Sequence, residues 1–138
     1  MITAVDTSIL LDVIGADPAF GPGSAVGLRR CLHEGQLIAC EVVWAECAGA
    51  LPDSETTLDR LAKLRVTYGA MDMGTALTAG RMWSVYRSRS GARERVIADF
   101  LIGAHALAHA DRLLTRDRGF YRDYFDGLEI LDPSAGAA

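Results

Sequence analysis

The chain has 138 residues, half of them hydrophobic and 23% charged, with a formal net charge of −4 at pH 7. This size and composition predict one globular domain rather than a disordered chain, and the acidic balance argues against non-specific coating of nucleic acid. No apolar run reaches the roughly 18 residues of a membrane span and no signal-peptide pattern starts the chain, so we expect a cytoplasmic protein. Cys31, Cys40 and Cys47 lack metal-binding spacing and are expected to be reduced core thiols.

Short apolar strands alternate with helices along the chain. The predicted strands are residues 2–5, 37–40, 66–72, 112–115 and 128–131. The predicted helices are residues 8–14, 23–34, 41–51, 53–64, 74–89, 96–110 and 119–125. Thr7 or Ser8 is expected to cap the first helix. The alternation predicts an α/β fold with a mostly parallel sheet.

Two carboxylates follow predicted strands directly. Asp6 ends the first strand, and Asp117 follows the fourth strand in the segment LLTRDRGF. The carboxyl ends of parallel strands meet at one edge of a sheet, which is where active sites of such folds lie. We therefore expect Asp6 and Asp117 to leave the sheet at the same edge.

Two further acids occupy unusual positions in helices. Glu46 lies inside the apolar segment VVWAECAGAL, and Asp99 lies in the first turns of RVIADFLIGAHALA on a face that is otherwise apolar or small. Each of the four acids also has a simpler interpretation. Asp6, Asp99 and Asp117 could be capping or helix-terminal residues, and Glu46 could be buried against an arginine.

Four clustered carboxylates repel one another, and a hard divalent cation relieves that repulsion. Mg²⁺ and Mn²⁺ prefer carboxylate and water oxygens, and a metal-bound water supports phosphodiester hydrolysis. Thr7, Ser8 and Thr115 could hydrogen-bond the acids or the metal's waters, although helix capping is the simpler role for Ser8.

Arginines supply almost all the positive charge, since Lys63 is the only lysine. Six of them are candidates for RNA-backbone contacts: Arg87, Arg89, Arg93, Arg95, Arg116 and Arg118. The first four could equally form a solvated helix end, and the two that flank Asp117 could form surface salt bridges. Asp12 is expected to face solvent. Tyr86 is expected in the core or an interface, with base stacking as an alternative.

Four segments together resemble the acidic motifs of a known family. VDTSILLD, VVWAECAGAL, RVIADFLIGAHAL and LLTRDRGFYRDYF are similar to the motifs of PIN-domain ribonucleases, in particular VapC-type toxins of bacterial toxin–antitoxin pairs. The resemblance covers residues 1–133 and implies an α/β/α sandwich around about five mostly parallel strands. The composition of residues 134–138 predicts a short flexible tail. The resemblance also implies that Asp6 and Asp99 are the primary Mg²⁺ ligands, with Asp117 completing the site and Glu46 acting directly or through water.

The resemblance further implies an Mg²⁺- or Mn²⁺-dependent endoribonuclease that cleaves structured RNA such as tRNA or rRNA. Such a protein would form a homodimer, and a cognate VapB-type antitoxin would inhibit it. The alternative is a catalytically degenerate PIN domain that binds a partner or RNA. A dehalogenase-like phosphatase would require an acid where Ser8 stands, and a receiver domain would require a late lysine.

Overall fold

The computed structural model describes residues 1–90 and 95–134, over which five short strands form one parallel sheet. The strands are β1 (Ile2–Val5), β2 (Gln36–Ala39), β3 (Val66–Tyr68), β4 (Arg112–Leu114) and β5 (Ile130–Leu131). The helices are α1 (Thr7–Ile14), α2 (Gly21–Glu34), α3 (Glu41–Ala50), α4 (Ser54–Lys63), α5 (Met73–Ser90), α6 (Ile97–His109) and α7 (Arg118–Tyr124). Arg93 and all of the predicted tail except Ser134 lie outside the described residues.

The strand order β3-β2-β1-β4-β5 places a topological switch point between β1 and β4. These strands pair in parallel with Val5 opposite Leu114, so their carboxyl ends lie side by side. The Asp6 backbone N–H extends this pairing by donating to the Leu114 carbonyl at 3.0 Å. Ligands of doubly wound sheets bind outside the strand ends at such a point. The predicted α/β fold and its parallel five-stranded sheet are confirmed.

The core lies on the central strands and on an aromatic cluster around α6. Leu37, Leu113 and Leu114 are fully buried. Phe100 contacts four aromatic rings, those of Tyr86, Phe120, Tyr124 and Phe125. Tyr86 is therefore a core residue, and the base-stacking alternative is wrong. The three cysteines are free and buried, as expected.

Two local predictions are wrong for identifiable reasons. Asp6 is the N-cap of α1 in place of the expected Thr7 or Ser8, because its carboxylate accepts from the Thr7 N–H at 2.8 Å; this confirms the alternative of Asp6 as a capping residue. The third strand ends at Tyr68 rather than residue 72, because the Met71 N–H donates to the Glu41 carboxylate instead of continuing the sheet. Over the described ranges, no helix is long and apolar enough to cross a bilayer.

Candidate active site

A cleft of about 520 Å³ opens at the carboxyl ends of β1 and β4. All four acids singled out in the sequence line it, although they come from four parts of the fold. Asp6 follows β1, Glu46 lies on α3, Asp99 lies on α6, and Asp117 follows β4. The sheet topology and the contact between α3 and α6 bring these segments together.

Asp6 is the most constrained of the four carboxylates. Its Oδ1 accepts from the Thr7 N–H and its Oδ2 accepts from the Thr115 hydroxyl at 2.7 Å. The Thr115 oxygen also accepts from the Asp117 N–H at 3.0 Å, so one hydroxyl links two acids. Burial raises the pKa of Asp6 from 3.8 to about 6, and the negative charges of Asp99 and Glu46 add to this effect.

Glu46 and Asp99 are held by neutral donors. Glu46 is exposed, and its Oε1 accepts from the Thr7 hydroxyl at 2.6 Å. The expected alternative of a glutamate buried against an arginine is therefore wrong. Asp99 accepts from the Val96 N–H at 3.2 Å. It is thus both a helix-terminal acid and a residue that lines the cleft.

Asp117 is the one cleft acid with an arginine partner among the described residues. Arg95 donates to both of its carboxylate oxygens, and the guanidinium also lies 4.3 Å from the centre of the Phe120 ring. This bonding raises the pKa of Arg95. Arg95 is therefore paired with a cleft acid, and its contact with RNA stays a prediction.

Asp12 is buried, and the expectation that it faces solvent is wrong. It is 7% exposed, because α1 contacts α2 through the face that carries it. Arg116 donates to both carboxylate oxygens, at 2.7 and 3.0 Å, and the Ser24 hydroxyl donates at 2.8 Å. Arg116 thus forms a partly buried ion pair while it still lines the cleft.

The other candidate RNA contacts differ in their surroundings. Arg87, Arg89 and Arg118 are exposed, and the Arg87 guanidinium lies 4.1 Å from the centre of the Trp83 ring. Ser8 lines the cleft beside Thr7. Contact of these residues with RNA stays a prediction.

Tyr121 is a residue that the sequence did not single out as part of the site. It is fully buried, and its pKa is raised by burial and then by the charges of Asp6, Asp99 and Asp117. Its phenol therefore stays protonated beside the acids. The available signal was its spacing of four residues from Asp117, the residue that precedes α7.

The donor set fits a hard divalent cation in its chemistry. Every ionisable side chain that lines the cleft, apart from Arg116, is a carboxylate, and oxygen ligands are those that Mg²⁺ and Mn²⁺ prefer. In residues 1–90 and 95–134, no three acidic, histidine or cysteine side chains converge closely enough to hold an ion as they stand. Each acid instead faces a protein donor, so binding a cation would require the carboxylates to turn toward one another.

Comparison with known proteins identifies the family. The PIN domain family model matches residues 3–125. Ribonuclease VapC11 of Mycobacterium tuberculosis and VapC ribonuclease Mb1587 of Mycobacterium bovis are each 33% identical over 122 residues, which is 84% of this chain and 87% of the relative. The chain belongs to the PIN-domain family and is a homologue of VapC ribonucleases, as the four motifs indicated.

Solved structures show the same fold. VapBC2 from Rickettsia felis, bound to a DNA fragment from its promoter, has a TM-score of 0.72 at 19% identity and covers 96% of this chain and 98% of that chain. VapBC-1 from nontypeable Haemophilus influenzae has a TM-score of 0.69 at 20% identity with the same coverage. FitAB bound to the IR36 DNA fragment has a TM-score of 0.65 at 20% identity, covering 96% and 95%.

Proposed function

We propose that the chain is a metal-dependent endoribonuclease toxin of a VapBC-like toxin–antitoxin system. It hydrolyses phosphodiester bonds in structured RNA such as tRNA or rRNA at the acid cleft. The observation that carries this proposal is the convergence of Asp6, Glu46, Asp99 and Asp117 on one cleft at the switch point of the sheet. The names of the curated VapC relatives, which are called ribonucleases, support it.

The uncompensated charge of the cleft supports a role for Mg²⁺ or Mn²⁺. Among the described residues, Asp6, Glu46 and Asp99 form no ion pair with a basic side chain. In this proposal Asp6, Asp99 and Asp117 hold the metal and Glu46 contributes directly or through water. A cation held by these residues would activate water for attack and would stabilise charge on the phosphoryl group.

The threonines have positioning roles in the proposed reaction. Thr115 holds Asp6 through its hydroxyl and receives the Asp117 N–H, so it fixes the relative placement of two proposed ligands. The Thr7 hydroxyl joins α1 to α3 by donating to the Glu46 carboxylate. Hydrogen-bonding partners of metal ligands orient them and raise their basicity. Loss of either hydroxyl should therefore weaken metal binding more than folding.

We also propose two macromolecular partners. The VapBC complexes among the structural neighbours support a VapB-type antitoxin as the inhibitor. A second copy of the chain is the other partner. Met73 and Leu77 lie one turn apart on α5 and are 77% and 56% exposed, which supports an apolar contact between copies.

The test is cleavage of a tRNA and rRNA pool by the purified chain in Mg²⁺ or Mn²⁺, repeated in EDTA. Asp6→Asn and Asp99→Asn should each lower the cleavage rate by more than about 100-fold, because even the partners of metal ligands contribute about 10- to 100-fold. Asp59→Asn is the matched control, since this exposed aspartate pairs with Lys63 on α4, away from the cleft.

Two results would contradict the proposal. Cleavage that persists in EDTA would show that no metal is needed, and cleavage that survives both cleft substitutions would place the activity elsewhere. An RNA that binds but is never cut would favour the catalytically degenerate binding module instead.

A further inference from the structure

A second pocket lies directly beside the acid cleft and shares one wall with it. Arg116 lines both cavities. The second pocket has a volume of about 280 Å³, and its other walls include Phe20, Ser24 and Pro133. We call it the Phe20 pocket. Pockets for drug-sized ligands measure about 300–1,000 Å³. The Phe20 pocket lies just below that range, a size that suits a single planar ring system.

The shared wall is held rigidly. Arg116 donates two hydrogen bonds to Asp12, which is 7% exposed, and Asp12 also accepts from Ser24, which is 1% exposed. The Arg116 guanidinium carbon lies 4.0 Å from the centre of the Phe20 ring. A buried network therefore fixes a flat cation over an aromatic ring, at the boundary between the pocket and the cleft.

Phe20 is the second unusual feature of this pocket. It is 41% exposed, although a phenylalanine is normally withdrawn from water. Its ring contacts Arg116 and lines the pocket. An exposed aromatic ring beside a guanidinium plane is the combination on which unpaired nucleobases stack.

We propose that the Phe20 pocket binds one unpaired nucleobase of an RNA strand whose neighbouring phosphate lies at the acid cleft. This inference rests on the proposed ribonuclease function and adds a base-binding subsite to it. The base stacks on the Phe20–Arg116 pair, while the guanidinium of Arg116, which also lines the cleft, contacts the adjoining phosphate. Because paired bases are covered by their neighbours, the subsite selects single-stranded loops or ends.

The flat Phe20–Arg116 wall and the small volume of the pocket favour a nucleobase over a peptide at this position. The cleft presents three carboxylates without basic partners among the described residues, and these repel phosphates. Arg116 lies at the rim of the cleft and places its guanidinium group beside these carboxylates, although its ion pair with Asp12 balances its charge. The pocket is also too small for the broad apolar face that a docked helix requires.

The test measures equilibrium binding by fluorescence anisotropy, without cleavage. Two labelled probes are used: a short mixed-sequence single-stranded RNA, and the same sugar–phosphate strand without bases. Titrations run in Ca²⁺ and again in EDTA. Phe20→Ala should weaken binding of the RNA about 5- to 150-fold, equivalent to about 1–3 kcal/mol for one stacked base, and leave the abasic strand unaffected. Phe20→Trp should retain the wild-type affinity.

Leu58→Ala is the matched control, because Leu58 is an exposed apolar residue on α4 that lines neither cavity. An equal loss on both probes would mean that Phe20 acts on the backbone or on folding, and it would overturn the proposal. Unchanged RNA affinity in Phe20→Ala, or no binding of RNA by the wild type, would overturn it as well. Because binding is read without hydrolysis, a chain that binds the base but never cuts RNA would refute only the proposed catalytic function.

Discussion

Replacing Asp6 by asparagine should stabilise the metal-free protein at about pH 8, where an unrelieved carboxylate is costly. Asp6 lies between the first strand and the first helix, partly withdrawn from water and near Asp99 and Glu46. Asparagine keeps the oxygen that accepts from the Thr7 N–H but carries no charge. The substitution therefore removes the repulsion and most of the desolvation cost while it preserves the cap.

The magnitude and sign follow from the shifted pKa. A pKa raised from 3.8 to about 6 corresponds to at most about 3 kcal/mol, at about 1.4 kcal/mol per unit. The folded state binds the Asp6 proton more tightly than the unfolded state does, so protonation of Asp6 stabilises the wild type. This stabilisation is complete below pH 3.8 and is lost as the pH rises through about 6. The asparagine must also reverse its hydrogen bond with Thr115, so we expect a net gain of about 1–2 kcal/mol, or about 4–8 °C in Tm.

The assay is denaturant unfolding of wild type and Asp6→Asn in EDTA at several pH values. The free-energy difference between them should grow as the pH rises from about 4 to about 7. Asp12→Asn is the matched control on the same helix, because Arg116 and Ser24 already satisfy that charge. It should destabilise the protein by about 1–3 kcal/mol. If Asp6→Asn were as destabilising as Asp12→Asn, the fold would already neutralise the charge of Asp6 as it does that of Asp12. That result would refute our account of the cleft.

Two further predictions concern the partner of Asp117 and the packing of α6. Arg95→Gln should raise the affinity for Mn²⁺ about 5- to 20-fold in isothermal titration calorimetry, because it frees the Asp117 carboxylate and removes a nearby cation; unchanged or weaker binding would contradict competition between Arg95 and the metal. Gly103→Ala should lower the free energy of unfolding by about 1–3 kcal/mol, because its new Cβ would lie 2.4 Å from the Phe125 ring. Gly80→Ala, a helical position with open space around it, should be neutral or slightly stabilising in the same unfolding assay.

The sheet and its acidic edge could be predicted because both depend on local pattern and one topological rule. Short apolar runs bounded by helix signals located all five strands, and parallel order then placed the residues after β1 and β4 side by side. Glu46 and Asp99 were conspicuous because each interrupts an apolar helix. The order of the four motifs indicated the family, which no single motif could specify.

The ion pairs could not be predicted, because they join segments that are distant in sequence. Asp12 and Arg116 are 104 residues apart, and nothing local to Asp12 indicates that α2 covers its face of α1. Arg95 lay in an arginine-rich segment whose other members gave no reason to single it out as the partner of Asp117. The cap of α1 was ambiguous for another reason, since Asp6, Thr7 and Ser8 are all good capping residues and only the backbone geometry selects the first.

The pairing of charges around the cleft separates structural acids from acids available for chemistry. Asp12 has an arginine and a buried hydroxyl, so its charge is neutralised within the fold. Within residues 1–90 and 95–134, the donors to Asp6, Glu46 and Asp99 are hydroxyl and amide groups. Neutral donors fix the direction of a carboxylate without cancelling its charge, so burial still raises the pKa of Asp6. A cleft arranged in this way lowers the stability of the metal-free protein, and a bound cation raises it. We therefore expect metal binding and Asp6→Asn to stabilise the fold for the same reason, because each reduces uncompensated negative charge in the cleft.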